Sequence, residues 1–488
     1  MTSESFLWHD FETFGADPRR DRPCQFAALR TNTELEIIDD PLVWFCQPTC
    51  DLLPTPDACL ITGITPRLAR ERGVPEYEFA RRIFEQMSVP GTCSVGYNNF
   101  RFDDEVSRFL FWRNFIDPYQ REYSNGNSRF DLIDVMRLTH ALRPDGIEWS
   151  QREDGTPGFR LEDLSAANGL AVENAHDALT DVENTLGLAR LVRHHQPKLW
   201  DWCLGLRARH RVEALLEPRQ PLVHASSRFP ASEFCVAPVL PLIRHPKIGS
   251  QWLVWNLRID PTDFFEADAE LLSDLYWTSN ADLPDGYQRL PVKWVRTNRC
   301  PIIAPMNVLT AAARERTGID PKQAASRAEA ILNNPAFLER LAGLFAQPPA
   351  GQAADAETAL YQGFVSRPDR GLAERLRQST PEQAAEWLAQ GAELFDDKRL
   401  NELLLHYAGR HAQHRLDDAA LQRWQDYRRR RLFDDPELAS VRIGDFRTRI
   451  AELLAQRPEK RELLEELMAW PDELDLEHFE PASLQSIT

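Results

Sequence analysis

HDFETFG, residues 9–15, follows the apolar run Phe6-Leu7-Trp8 and sets the reading of the first part of the chain. The run reads as a β-strand that continues into Asp10-Phe11-Glu12. Side chains at i and i+2 of a strand leave the same face, so the Asp10 and Glu12 carboxylates converge on one point. Paired hard oxygen ligands suit Mg²⁺ or Mn²⁺. A solvent-exposed strand end carrying two acids satisfies the same pattern, so this pair does not decide the chemistry by itself.

Outward from this stretch, further strands are predicted at Gln25–Arg30, Leu35–Ile38, Val43–Cys46 and Thr92–Tyr97. Helical spacing predicts helices at Glu76–Met87, Asp104–Phe115, Phe130–Leu142, Leu161–Ala167 and Ala178–Val192. Strands first, with helices between and after them, indicate an α/β domain with a mixed sheet over residues 1–195. Residues 196–350 hold short β-like runs (Phe234–Val239, Gln251–Leu257, Pro291–Val295) between proline and turn residues, which reads as a small barrel-like domain. After the PPAGQAA segment at 348–354, Ala, Leu, Glu and Arg recur at helical spacing, and residues 351–488 read as an all-α domain.

Composition bounds the function without naming it. The 488 residues include 75 acidic and 57 basic side chains, a net charge of −18, which argues against a protein that coats nucleic acid over its whole surface. A confined basic channel remains compatible with that charge. The eight cysteines form no CxxC pair, which argues against a zinc or disulfide framework. Apolar runs such as Leu42–Cys46 are too short to cross a bilayer, and the N-terminus lacks the pattern of a signal peptide. The expected setting is cytoplasmic, with no membrane partner.

Two more segments complete a constellation. In GYNNFRFDDE (96–105) a strand ends near Tyr97 and a helix opens near Asp104, so Asp103 and Asp104 sit at the helix start. Acids there are also favoured simply by the helix dipole. In NAHDALTD (174–181), His176 precedes a helix whose interior carries Asp181. A histidine titrating near neutrality is suited to deprotonate a water. Four carboxylates and one histidine, in the order Asp-x-Glu, Asp, His-x4-Asp, fit a phosphodiesterase that uses two metal ions.

These segments resemble the DEDDh superfamily of 3′→5′ exonucleases, with a ribonuclease H-like fold. Within it the nearer likeness is to the bacterial exonuclease I family. DRPCQFAALRT (21–31), LITGITP (60–66), RNFIDPY (113–119), ALRPDGI (141–147) and FRLEDL (159–164) extend the likeness within the first domain. PLVHASS (221–227), VKWV (292–295), CPIIAP (300–305) and DDKRLNELLLHY (396–407) carry it through the rest, except beyond Arg415. The resemblance implies a nuclease domain at 1–195, an SH3-like domain at 196–350 and a helical domain at 351–488. It implies removal of mononucleotides from single-stranded DNA, in repair and recombination, with two Mg²⁺ ions for which Mn²⁺ can substitute.

By position, the resemblance implies that Asp10, Glu12, Asp103 and Asp181 bind metal and that His176 is the general base. The choice of Asp103 over Asp104 rests on that alignment alone. Glu12 and Arg160 would contact substrate, and Arg108, Tyr119, Tyr123 and Arg137 would grip the single strand. Arg143 would meet the C-terminal tail of single-stranded DNA-binding protein. The family precedent is a monomer. The run Arg428–Arg431 reads as a solvated helix face in preference to a phosphate site. Two rivals stay open: a 3′→5′ exoribonuclease, and an inactive single-stranded DNA-binding scaffold that keeps the fold. A proofreading subunit is a third, less favoured because of the segments after residue 195.

Overall fold

The nine-residue strand β1 (Ser5–Thr13) is buried throughout from Ser5 to His9 and alternates from there, with Phe11 and Thr13 buried and Asp10 and Glu12 half-buried between them. The computed structural model describes residues 4–170, 177–345, 355–389, 394–474 and 476. They form two compact units. Of these, the first comprises residues 4–128, 177–183, 355–389, 394–474 and 476, and the second comprises 129–170 and 184–345.

In the first sheet, β1 pairs antiparallel with β2 (Pro23–Thr31), which pairs antiparallel with β3 (Leu42–Phe45). On its other side β1 runs parallel to β4 (Thr92–Gly96), and β5 (Ser128–Asp131) completes the order β3-β2-β1-β4-β5. The sheet is therefore mixed, as expected. Every residue of β2 is buried. Leu7, Phe11 and Phe26 pack with Phe79 and Ile83 of the Glu76–Met87 helix and with Val106 and Leu110 of the Asp103–Arg113 helix.

The expected strand at Leu35–Ile38 is instead a turn with one isolated bridge, Thr31 to Ile37. Leu35 adopts φ +66°, and the Asn32 side chain accepts from the Glu34 and Glu36 amides, closing the turn locally. This is the competition of a short polar side chain with a strand ladder. The Phe130–Leu142 segment splits into the end of β5 and a helix at Leu132–Leu142, capped by Asp131 accepting from Ile133 N. Two short helices, Pro56–Thr62 and Pro66–Arg72, were not expected, although each has a threonine N-cap followed by proline.

The rest of the first unit is helical, with helices at Arg367–Arg377, Pro381–Ala389, Lys398–His411, Asp418–Arg429, Ile443–Gln456 and Arg461–Ala469. They share apolar cores with the sheet region: Phe14, Cys24 and Leu53 pack with Ile443, Phe446 and Leu464, and Phe109 and Trp112 with Leu376 and Leu403. A buried ion network crosses the same unit. Glu357 pairs with Arg22 at 2.6 Å, with Arg431 at 2.9 Å and with Arg410, while Asp51 pairs with Arg410 at 2.7 Å and Arg431 at 3.0 Å. The arginine run thus departs from the expected solvated face. Arg429 and Arg430 are exposed, but Arg431 joins this network and Arg428 is buried, donating to the carbonyls of Cys50 and Leu474. Residues three apart on a helix lie near one face, so the run's two ends turn inward together.

The second unit carries an antiparallel sheet of β6 (Leu222–Ala225), β7 (Val236–Arg244), β8 (Gln251–Asn256), β9 (Val292–Arg296) and β10 (Ile303–Pro305), in the order β10-β6-β7-β8-β9. Its core joins Leu240, Leu253 and Trp255 to Phe264, Leu272, Ile331 and Phe337. Among the described residues no helix is long and apolar enough to cross a membrane.

Candidate functional site

The alternation of β1 places Asp10 and Glu12 together on one face, and a third acid meets them from the first turn of the Ala178–His195 helix. Ligand oxygens of Asp10, Glu12 and Asp181 all lie within 4.8 Å of one another. Asp103 approaches from the start of its helix, where its Oδ1 accepts a hydrogen bond from the Phe11 amide at 3.1 Å. That amide sits between the two strand acids, so Asp103 is the one of the adjacent pair turned to β1. Asp104 accepts instead from Arg121 at 2.6 Å, with both side chains fully buried.

The loop that delivers Asp103 is shaped by its sequence. A Cβ at Gly96 would sit 2.8 Å from the Asn99 side chain and 3.1 Å from the His9 carbonyl, so only glycine lets the chain turn this close behind β1. Asn98 then takes φ +65°, a left-handed conformation that asparagine tolerates.

The electrostatics are those of charges set against one another. Burial raises the Glu12 carboxyl to about 8, reinforced by Asp181, Asp103 and Asp177. Burial likewise raises Asp10 well above the usual carboxylate range, reinforced by Asp103, Glu12 and Asp181. His9, between strand neighbours behind this face, is held neutral by burial and by Arg121, its pKa down to about 3. Several half-buried carboxylates that repel one another, all hard oxygen donors, fit a divalent cation. Asp10, Glu12, Asp103 and Asp181 would hold such an ion, and its charge would favour their deprotonated forms at neutral pH.

His176 lies outside the described residues, whereas its neighbour Asp177 is half-buried at the foot of the Asp181 helix. In the first unit, Arg108 is buried and held on three sides. Its guanidinium donates to Glu122 at 2.8 and 3.0 Å and to Glu105 at 2.8 Å, and lies 5.3 Å from the centre of the Tyr119 ring. Tyr361, from the helical part of the unit, donates to Glu105 and accepts from Arg108. Tyr123 is 66% exposed, so its ring face is open. Glu105, Glu122 and Tyr361 were not singled out from the sequence. Glu105 lies three residues before Arg108 on one helix, a spacing that could have flagged it, whereas Glu122 and Tyr361 come from other elements.

Arg137, Arg143 and Arg160 belong to the second unit. Arg137 is nearly buried, pairs with Asp134 at 2.5 Å and lies over the Phe159 ring. Arg143 donates to the carbonyls of Leu142 at 2.6 Å and Val308 at 2.9 Å. Arg160 is well exposed, its side chain 72% accessible, with Glu162 at 2.7 Å.

Comparison with known proteins extends this picture over the whole chain. Residues 7–189 match the Exonuclease family, 207–347 the Exonuclease I SH3-like domain and 354–474 the Exonuclease I C-terminal domain. Exodeoxyribonuclease I of Escherichia coli (strain K12) is 40% identical over 473 residues, covering 96% of this chain and 98% of its own. A moderately thermophilic Exonuclease I from Methylocaldum szegediense superposes with a TM-score of 0.90 at 42% identity, over 96% of this chain and 99% of its own. The zinc-bound complex of the E. coli enzyme with single-stranded DNA superposes with a TM-score of 0.89 at 38% identity, over 97% and 100% of the two chains. The architecture is thus an exonuclease domain with a mixed sheet, an SH3-like domain and a helical C-terminal domain.

Proposed function

The chain belongs to the exonuclease I family, and from that premise we propose that it is a 3′→5′ exodeoxyribonuclease that shortens single-stranded DNA to mononucleotides in repair and recombination. The observation that carries this is the convergence of Asp10, Glu12 and Asp181 oxygens within 4.8 Å, with Asp103 tied to the backbone between the first two.

In this reading Asp10, Glu12, Asp103 and Asp181 hold two Mg²⁺ ions, with Mn²⁺ as a substitute. Bound there, the ions supply a lowered pKa for the attacking water and stabilise charge at the in-line phosphorus. Glu12 also faces the terminal nucleotide. His176 accepts the water's proton. Arg160 contacts substrate, and its exposure supports that role. Arg108, Tyr119 and Tyr123 in the first unit and Arg137 in the second grip single-stranded DNA, and the exposed Tyr123 can stack a base irrespective of sequence. The domains run 1–195, 196–350 and 351–488. The protein is a cytoplasmic monomer, and Arg143 receives the terminal carboxylate of the single-stranded DNA-binding protein's tail.

The test is a 5′-labelled single-stranded DNA oligonucleotide with and without Mg²⁺, beside its duplex, its RNA equivalent and an Asp181→Ala variant. A Mg²⁺-dependent ladder shortening from the 3′ end, confined to single-stranded DNA and lost in the variant, is the expected result. Preference for RNA would make the enzyme a ribonuclease, and binding without cleavage would make it a scaffold.

A further inference from the structure

We propose that Arg121 is a positioning residue for the metal site: its buried pair with Asp104 fixes the helix start that presents Asp103 to β1. The proposal rests on the reading above that Asp103 is one of the metal-holding acids.

Asp103 and Asp104 are successive on a helix, so their side chains diverge by about 100°. One is tied to the Phe11 amide and the other to Arg121. The first turn of this helix needs such an anchor, because its N-cap position is Phe102, which makes no side-chain capping bond. Asp104 N donates to the Asn99 carbonyl, which holds the backbone but not the direction of the carboxylates. Charge makes the same demand. Three successive acids, Asp103 to Glu105, open the helix beside a cluster that already repels itself. Arg121 offsets Asp104 as Arg108 offsets Glu105, so the start of the helix stays put when Asp103 carries charge.

The grip is double. Arg121 and Glu122 are neighbours on the short Gln120–Tyr123 helix, and Glu122 takes Arg108 while Arg121 takes Asp104. Asp104 and Arg108 are four apart and share a face. Two ion pairs of opposite polarity therefore clamp one turn of the Asp103–Arg113 helix. Arg121 is also costly to bury for packing alone: its Nε and Nη1 find no hydrogen-bond partner among the described residues. The same helix supplies its own control. At its far end Arg113 pairs with Glu76 at 3.0 Å, equally buried.

The experiment uses the full chain, freed of metal, titrated with Mn²⁺ in a calorimeter and melted in parallel. Asp104→Asn combined with Arg121→Met removes the first pair without stranding a charge. Glu76→Gln combined with Arg113→Met removes the pair at the far end, where Arg22, the other partner of Glu76, keeps Asp51 and Glu357. Both should lower the thermal midpoint, while only the first weakens Mn²⁺ binding, by about tenfold, the lower end of what losing an outer partner of a metal ligand costs. Equal Mn²⁺ affinity in the folded first variant and the parent would overturn the proposal, as would an equal loss in both. Should the first variant not fold, Arg121→Lys replaces it: a several-fold weakening is expected, and unchanged affinity is fatal. A parent that binds no Mn²⁺ would instead sink the metal reading of the site itself.

Discussion

The first unit buries two groups of carboxylates and treats them in opposite ways. At β1, burial raises Asp10 and Glu12, and the neighbours Asp103 and Asp181 raise them further. In the network beneath the helical region burial also works to raise Asp51, Glu76 and Glu357, but arginines outweigh it. Arg113 and Arg22 bring Glu76 down to about 2, and Arg410, Arg431 and Arg22 hold Asp51 and Glu357 well below the usual range. Carboxylates buried outright are thus compensated in one place, and half-buried ones are left uncompensated in the other. The difference separates structure from chemistry: the network supplies its own cations, whereas the β1 cluster is shaped to receive one.

Removing one member from each group should break the comparison most visibly. Asp10→Asn should lower single-strand DNA cleavage by about 10²–10³-fold or more, the scale of losing one group that stabilises developing charge. Its metal-free thermal midpoint should hold, because burial and the acidic neighbours already favour the uncharged carboxyl there. An active Asp10→Asn protein, within tenfold of the parent, would mean the cluster is not the catalytic centre. Glu357→Gln should do the reverse. It leaves Arg22, Arg410 and Arg431 short of a partner, and breaking a buried network in this way costs about 3–5 kcal/mol. Urea unfolding would read that loss, while cleavage by the protein still folded changes little. A cost under about 1 kcal/mol would show that the network is slack.

How far these two groups were legible in the sequence differs for a physical reason. Asp10 and Glu12 are two residues apart on one strand, so strand periodicity alone puts them together, whereas Asp103 was separated from Asp104 only by the resemblance and Asp181 lay inside an expected helix. The network has no such local signature. Arg22, Asp51, Glu357, Arg410 and Arg431 are brought together only by tertiary packing, and their run-mates Arg429 and Arg430 are indeed solvated. Spacing could not separate the inward from the outward members of RRRR. The α/β, β and α order of the chain followed from composition and periodicity. The turn at Leu35 did not, because its positive φ follows from hydrogen bonds to Asn32 and not from any apolar pattern.

Acidity offers the finest test, since the two groups should bend the stability curve in opposite directions. A free glutamate titrates near 4.5, and Glu12 in the folded protein near 8. Between these values the folded state binds more protons than the unfolded one, so stability falls as pH rises through that window. Glu76 runs the other way. Its folded pKa of about 2 lies below 4.5, so its contribution is complete above 4.5 and is lost as pH falls towards 2. Metal-free protein should therefore melt highest near the lower edge of the first window and lose midpoint steadily towards pH 8. Saturating Mn²⁺ should flatten that alkaline arm, because the ion stabilises the deprotonated cluster, and should release protons on binding at pH 6–7. The acid arm should ignore the ion. A midpoint that climbs from pH 5 to 8 in the presence of chelator would mean that the β1 acids are already compensated from within the protein, and the contrast between the two groups would collapse.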